Sequence, residues 1–316
     1  MLLIVALAGA AGIAGAQTYP TKPITIIVPF AAGGGNDIMA RLLAQHMGRA
    51  LGQQFVIDNR GGAAGTLGAR AVAKSTPDGY TLMVGHSGVF GVAPSLYTNA
   101  GYDPRKDFAP VGLIASFQQI LVVHPSLPVH SVKDLLALAR KEPGKITYAT
   151  AGIGSGSHIS TELFNSMTGI KLTHIPYRGS GPAQSDLIAG HVPMAITTVP
   201  PAIAQIRSGL LRAVAVTGDT RLAILPDVPT VAESGVPGYV AVIHYGMVAP
   251  AGTPRPIVER LNAELNAALK SDDVRARIAD EGGDPLAGTP EQQAADIDAE
   301  ETKWGAVVRK LGLKAE

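Results

Sequence analysis

The sequence predicts an α/β protein of two domains, each a mostly parallel sheet flanked by helices. Three observations carry this. Short apolar runs alternate with helical patterns from Ile24 onward. A second such series begins near Gln119. Glycine-rich loops recur where strands hand over to helices. A chain of 316 residues, 46% hydrophobic, is globular and long enough for two cores.

In the first series ITIIV (Ile24 to Val28) reads as a buried strand, ended by Pro29 and Gly33-Gly34-Gly35. Asn36 is the expected cap of a helix with Ile38, Leu42, Leu43 and Met47 at helical spacing, stopped by Gly52. The strand FVID (Phe55 to Asp58), a helix around Gly65 to Lys74, the turn Pro77-Asp78-Gly79 and the strand TLMVG (Thr81 to Gly85) follow. In the second series ILVVH precedes a helix opened by Ser131, with Asp134 completing a capping box. Then come the strand ITYAT, a helix from His158 to Met167 ended by Gly169, the strand LTHIPY, and a helix opened by Pro182 and ended by Gly190. The strand MAITT, a helix from Ala202 to Arg207 and the strand RAVAVTG complete it. The final third reads as helices without strands of their own, one opened at Thr253-Pro254 and running to Lys270, one opened by the capping box Thr289-Pro290-Glu291-Gln292 and carrying Trp304. If these pack on the first sheet, the chain crosses between domains near Ser116 to Gln119 and near Ile243 to Met247, which makes a hinge beside a cleft.

The run Met1 to Ala16 is apolar, too short to span a bilayer, and ends in Ala14-Gly15-Ala16. It reads as a signal peptide cut before Gln17, although no Lys or Arg precedes it; a buried N-terminal helix is the alternative. The chain has no cysteine, so disulfides, thiolate metal sites and cysteine nucleophiles are excluded. Lys plus Arg number 26 against 25 for Asp plus Glu, a balance that argues against nucleic-acid or membrane-surface partners.

Two loops suit an anion. PFAAGGGND (Pro29 to Asp37) joins a strand end to a helix start, and three consecutive glycines let the backbone approach a ligand there. TAGIGSGSH (Thr150 to His158) repeats the geometry. Its GIGSGS nears the dinucleotide fingerprint, but Thr173, His174 and Tyr177 stand where that fingerprint needs an acid. GHSGV (Gly85 to Val89) fails the nucleophile-elbow pattern at Val89, so Ser87 is a hydrogen-bond donor rather than a nucleophile. The eight histidines include no HExxH and no close pair on one helix face, which predicts no metal and no cofactor; His86 and His244 are candidates for the cleft. Among Arg60, Arg178 and Arg207, Arg178 is best placed to meet a carboxylate, in a strand-to-helix loop.

The chain resembles the solute-binding proteins of tripartite tricarboxylate transporters, the Bug family. The resemblance rests on YPTKPITIIVPFAAGGGND, VIDNRGGAAGTLGA, STPDGYTLMVG, DFAPVGLIAS, PGKITYATAGIGSGSHISTELF, HIPYRGSGPA, AVAVTGDTRLAILPDVPTVAESGVPGY and APAGTPRPIVERLNAEL, which together cover nearly the whole chain beyond Ala16. It implies a two-lobed periplasmic-binding-protein type II fold, a Venus flytrap, with residues 17–118 and 244–316 in one lobe and 119–243 in the other. It implies a monomeric periplasmic receptor, not an enzyme, for a small organic mono- or dicarboxylate, and a membrane permease with a large and a small subunit as partner. A sensing receptor of the same fold, or a two-domain α/β enzyme, are the alternative readings.

By the same resemblance, one ligand carboxylate is held largely by backbone amides and bridging waters. The positions are Phe30, Ala31, Gly33, Gly34, Gly35 and Asp37 on one side, and Thr150, Gly154, Ser155 and Ser157 opposite. Ser87, Tyr177 and Gly179 are expected as further lining. Many relatives carry an Asp near Thr197 and a Trp where His244 stands. Thr197, Thr198 and His244 are therefore expected at the distal end of the ligand, favouring a second carboxylate or a hydroxyl over an amine.

Overall fold

The computed structural model describes residues 19–315; the expected signal segment, Met1–Ala16, lies outside the described residues. In chain order the strands are β1 (Ile24–Val28), β2 (Phe55–Asn59), β3 (Thr81–His86), β4 (Phe108–Phe117), β5 (Gln119–Val123), β6 (Thr147–Thr150), β7 (Thr173–Pro176), β8 (Met194–Thr198), β9 (Arg212–Val216), β10 (Ile243–Pro250) and β11 (Gly283–Pro285). The helices are α1 (Gly35–Leu51), α2 (Thr66–Ala73), α3 (Ala93–Leu96), α4 (Val132–Lys141), α5 (Gly156–Thr168), α6 (Ser180–Ile188), α7 (Val199–Arg207), α8 (Arg255–Leu269), α9 (Asp272–Asp280) and α10 (Pro290–Leu311).

These strands form two sheets, β11-β4-β10-β3-β1-β2 and β7-β6-β8-β5-β9. Pairing is parallel where helical crossovers join the strands, β1 with β2 and β3, and β6 with β7 and β8. It is antiparallel around β10, β11 and β5, so the sheets are mixed rather than mostly parallel. β5 and β10 are the strands with which the chain enters the second sheet and returns to the first. No helical crossover leads directly into either, so nothing constrains them to the parallel sense. The passage between sheets is short: only Gln118 separates β4 from β5, and β10 starts two residues after Ala241, whose amide donates to Thr217 O of the second unit at 2.8 Å.

The apolar pattern explains the packing. On α1, Met39, Leu43 and Met47 are buried against β1, β3 and α8, with Ile38 and Leu42 half-buried on the flank. The helix starts at Gly35, capped by Gly34; the expected cap, Asn36, instead donates its side-chain amide to Val84 O of β3 at 3.1 Å. Ser131 caps α4, accepting from the Asp134 amide, while the Asp134 carboxylate reaches one residue further back, to the His130 amide. At α10 the capping box is complete, Thr289 and Gln292 each serving the other's backbone.

The C-terminal part carries strands after all, β10 and β11, and α10 does not rest on one sheet alone. It packs on β4 and the π-helical turn Gly88–Val92, while Trp304 and Val308 join Val92 and Leu96 in the core cluster of the second unit, with Leu121, Phe164 and Tyr239. Trp304 is buried and donates its indole N–H to Glu300 at 2.9 Å. α10 thus ties the two units together behind the cleft.

Candidate functional site

A cleft of about 730 Å³ opens between the two sheets. Four helices present their first residues to it: α1 at Gly34–Asn36, α5 at Ser155–Ser157, α6 at Gly179–Gly181 and α7 at Thr198 and Pro200. The first amides of a helix have no intrahelical acceptor and carry the positive end of its dipole. Side-chain caps are absent from α1, α6 and α7, so their amides stay available. At α7 the supply falls to Val199 among the first three positions, because Pro200 and Pro201 have no N–H, and at α6 Pro182 likewise lacks one. The N-terminus of α5 is partly satisfied from within, since Ser155 Oγ accepts from the His158 amide at 3.3 Å; Ser157 Oγ instead ties down the preceding loop, accepting from the Ala151 amide at 3.0 Å.

The glycines are there for specific reasons. Gly33 has φ +82°, in the left-handed region. At Gly35 a Cβ would stand 2.7 Å from Tyr245 Oη, so α1 can begin here only without a side chain. Gly156 of α5 leaves room for Ile243 of β10, where the two units meet.

Of the residues expected from the sequence, Phe30, Ala31, Gly33, Gly34, Gly35, Thr150, Ser155, Ser157, Gly179, Thr197 and Thr198 line this cleft, and Arg178 stands at its exposed edge. Asp37, Ser87, Gly154, Tyr177 and His244 do not. Asp37 is buried beneath the first loop, accepting from the Gly33 amide at 2.9 Å, Arg41 Nε at 2.9 Å and Asn59 Nδ2 at 3.0 Å. Burial opposes its charge, but these donors outweigh it and hold the carboxyl below the usual aspartate range. Ser87 latches β3 to β10 by accepting from the His244 amide at 3.0 Å. Gly154 faces the other unit, where a Cβ would meet Leu96 at 2.7 Å and Ala64 at 3.1 Å. Tyr177 donates to Asp186 Oδ2 at 2.7 Å. The His244 ring turns to Asp296 of α10, Nδ1 to Oδ1 2.6 Å; burial works against its protonation, but Asp296 prevails and raises its pKa. Arg60 is occupied by Asp58 at 2.8 Å, and Arg207 is exposed outside the cleft.

The cleft also holds residues that the sequence patterns do not single out: Phe117, Gln118, Gln119, Tyr245, Arg277 and Glu281. The first three sit at the crossing between sheets, which the change of series near Gln119 marks. His86, a candidate from the sequence, is 9% exposed and stacks on Phe30 at 4.4 Å, and its Nδ1 accepts from the Gly88 amide at 2.8 Å. Burial pushes its pKa down to about 4, so it is neutral at pH 7. Beneath the second loop, His158 and His174 stack at 4.2 Å; burial holds them near about 3 and about 4. His158 Nδ1 accepts from the Gly154 amide at 3.2 Å, and His174 Nε2 lies 2.6 Å from Thr150 Oγ1. Among the described residues no group of His, Asp and Glu is placed to hold a metal ion, and no helix is long and apolar enough to cross a membrane.

This is an anion cleft on a two-sheet frame, and the model of the tripartite tricarboxylate transporter family receptor, TctC, matches residues 39–313. The chain belongs to that family. BugT of Bordetella pertussis is 41% identical over 313 residues, covering 99% of this chain and 96% of its own length. A Rhodopseudomonas palustris protein solved with adipate superposes with a TM-score of 0.88 at 40% identity, covering 94% of this chain and 99% of that one. MatC of the same organism, solved with bound malate, gives a TM-score of 0.84 at 36% identity, covering 92% and 100%. The receptor fold of the family is therefore the fold of this chain, and the four helix N-termini lie in the cleft between its two sheets.

Proposed function

We propose that this protein is an extracytoplasmic receptor that captures a small organic carboxylate in the cleft. The observation that carries the reading is the convergence of four helix N-termini, three without side-chain caps, on one cavity. An anion there accepts hydrogen bonds from amides already fixed by the fold, so little ordering is needed on binding. The adipate and malate in the two R. palustris relatives agree with the same ligand class.

In this reading residues 17–118 and 244–316 form one lobe and 119–243 the other, and the ligand draws them together about Gln118 and Val242. The receptor is a periplasmic monomer with Met1–Ala16 removed, as N-terminal mass spectrometry of the exported protein tests. It delivers its ligand to a permease with a large and a small membrane subunit and binds without turnover. Thermal-shift screening against mono- and dicarboxylates tests the binding. A ligand at about 100 times its Kd adds about 2.7 kcal/mol to stability. No stabilisation by any acid of the panel overturns the proposal, and conversion of the bound acid on prolonged incubation overturns the non-enzymatic part.

A further inference from the structure

A second hollow lies away from the cleft, on the outer edge of the first sheet. β2 is the last strand of that sheet and pairs only with β1. In a parallel pair, alternate residues turn both backbone groups to the neighbour. The Ile24 amide donates to Gln54 O at 2.9 Å and the Arg60 amide to Val28 O at 2.8 Å, with Ile24 opposite Phe55 in register. The N–H and C=O groups of Val56 and Asp58 therefore face β1, and those of Phe55, Ile57 and Asn59 face outward. Among the described residues these outward groups have no backbone partner. Edge strands are commonly blunted by a proline, a bulge or an inward charge. β2 has neither proline nor a register shift against β1. Its one charged residue, Asp58, lies on the opposite face from Phe55 and Ile57 and is taken by Arg60 at 2.8 Å.

Beside this edge, α1 and β2 enclose an open groove of about 610 Å³. Phe55 and Ile57 form its floor, and Arg41, Gln45 and Arg49 of α1 its wall. The lining holds two arginines and no acid. Arg41 is tied by Nε to the buried Asp37 at 2.9 Å, whereas Arg49 is exposed and has no side-chain partner among the described residues. A second copy of the chain is a poor occupant, because pairing β2 with itself sets two basic walls face to face. An acidic strand suits both features, the open backbone and the charge. Arg41 and Arg49 are eight residues apart, about 12 Å along the helix axis. Four residues of extended chain span about 13 Å and bring the side chain back to the same face. We infer that the β2 edge is a docking site for an extended segment of a partner protein, which adds as a further strand and sets acidic side chains four residues apart over Arg41 and Arg49.

The test uses the purified protein and a labelled, end-blocked peptide of alternating threonine and valine with two glutamates four residues apart, followed by fluorescence anisotropy. A twin peptide carries lysines in place of the glutamates. Exchanging two exposed attractions for two repulsions is expected to weaken binding on the order of tenfold. Arg49→Glu is expected to abolish the preference for the glutamate peptide. Melting confirms that this exposed variant is folded; if it is not, Arg49→Gln carries the same test with a smaller shift. Methylating every second peptide amide in one alternate set is expected to abolish binding, and methylating the other set to leave it intact, because only one set can face β2. On peptide binding, hydrogen exchange is expected to slow at the amides of Phe55, Ile57 and Asn59. No binding of the glutamate peptide, equal affinity for the lysine twin, or a preference untouched by Arg49→Glu overturns the proposal. So does equal tolerance of both methylation patterns, or protection at Gly33–Asn36 in place of β2, which would put the peptide in the cleft. None of these outcomes bears on carboxylate capture, which has its own assay.

Discussion

Acid should weaken this protein through its buried histidines: His158 and His174 act with the same sign, and the share that can be isolated is that of His86. The residue ordinarily titrates at 6.5, and burial in the folded state brings it to about 4. Below pH 6.5 the unfolded chain takes up a proton that the native state refuses, so stability is full above 6.5 and falls as pH drops towards 4. The difference of 6.5 minus about 4, at 1.36 kcal/mol per unit, is about 3 kcal/mol. His244 acts with the opposite sign. Its raised pKa gives stability that is complete below 6.5 and lost as pH rises through the folded value, so it partly masks the trend. Asp37, with its pKa lowered from 3.8, contributes stability lost only as pH falls below that value, outside the window. The clean comparison is therefore with His86→Asn, whose side-chain oxygen still accepts from the Gly88 amide but takes up no proton. Urea unfolding of both ligand-free proteins from pH 7.5 to 4.5 should show the wild type losing about 3 kcal/mol more than the variant. Parallel losses would refute the assignment of that acid sensitivity to His86.

Three further outcomes follow from named contacts. Gly35→Ala should cost about 1–3 kcal/mol of stability by forcing its Cβ onto Tyr245 Oη, and Tyr245→Phe in the same chain should recover much of it, as paired melts will show. Binding of the best carboxylate should suffer more from Gly35→Val than from Arg178→Ala, since Arg178 is exposed at the cleft edge; calorimetry reads the order. Trp304→Ala should cost about 3–5 kcal/mol in denaturant unfolding, because the ring is 1% exposed and joins both units.

Much of the fold is legible in the sequence because apolar runs and their punctuation are local. The parallel strands, the caps at Ser131 and Thr289 and both glycine loops are of this kind. β4 and β10 are harder to read because glycines interrupt them for non-local reasons. A Cβ at Gly112 would stand 2.8 Å from Asn262 of α8, and Gly246 faces the Gln293 side chain of α10. Neither helix is adjacent in sequence to the strand it presses upon. The site divides the same way. Loop glycines announce themselves, whereas Tyr245 and Glu281 reach the cleft only because β10 inserts between β3 and β4 and α9 docks beside α1's sheet. Asp37, Ser87 and His244 carry the right chemistry for a site, but each is engaged by a partner that only the folded chain brings near.

The most direct test of carboxylate capture is calorimetric titration of the ligand-free protein with a series of short mono- and dicarboxylic acids beside their neutral carboxamides. Helix N-termini favour the charged group over its neutral isostere, so the account predicts that at least one acid binds and that its carboxamide binds at least tenfold more weakly, a difference of about 1.4 kcal/mol or more. Equal affinity for acid and amide, or no binding by any acid, would contradict it.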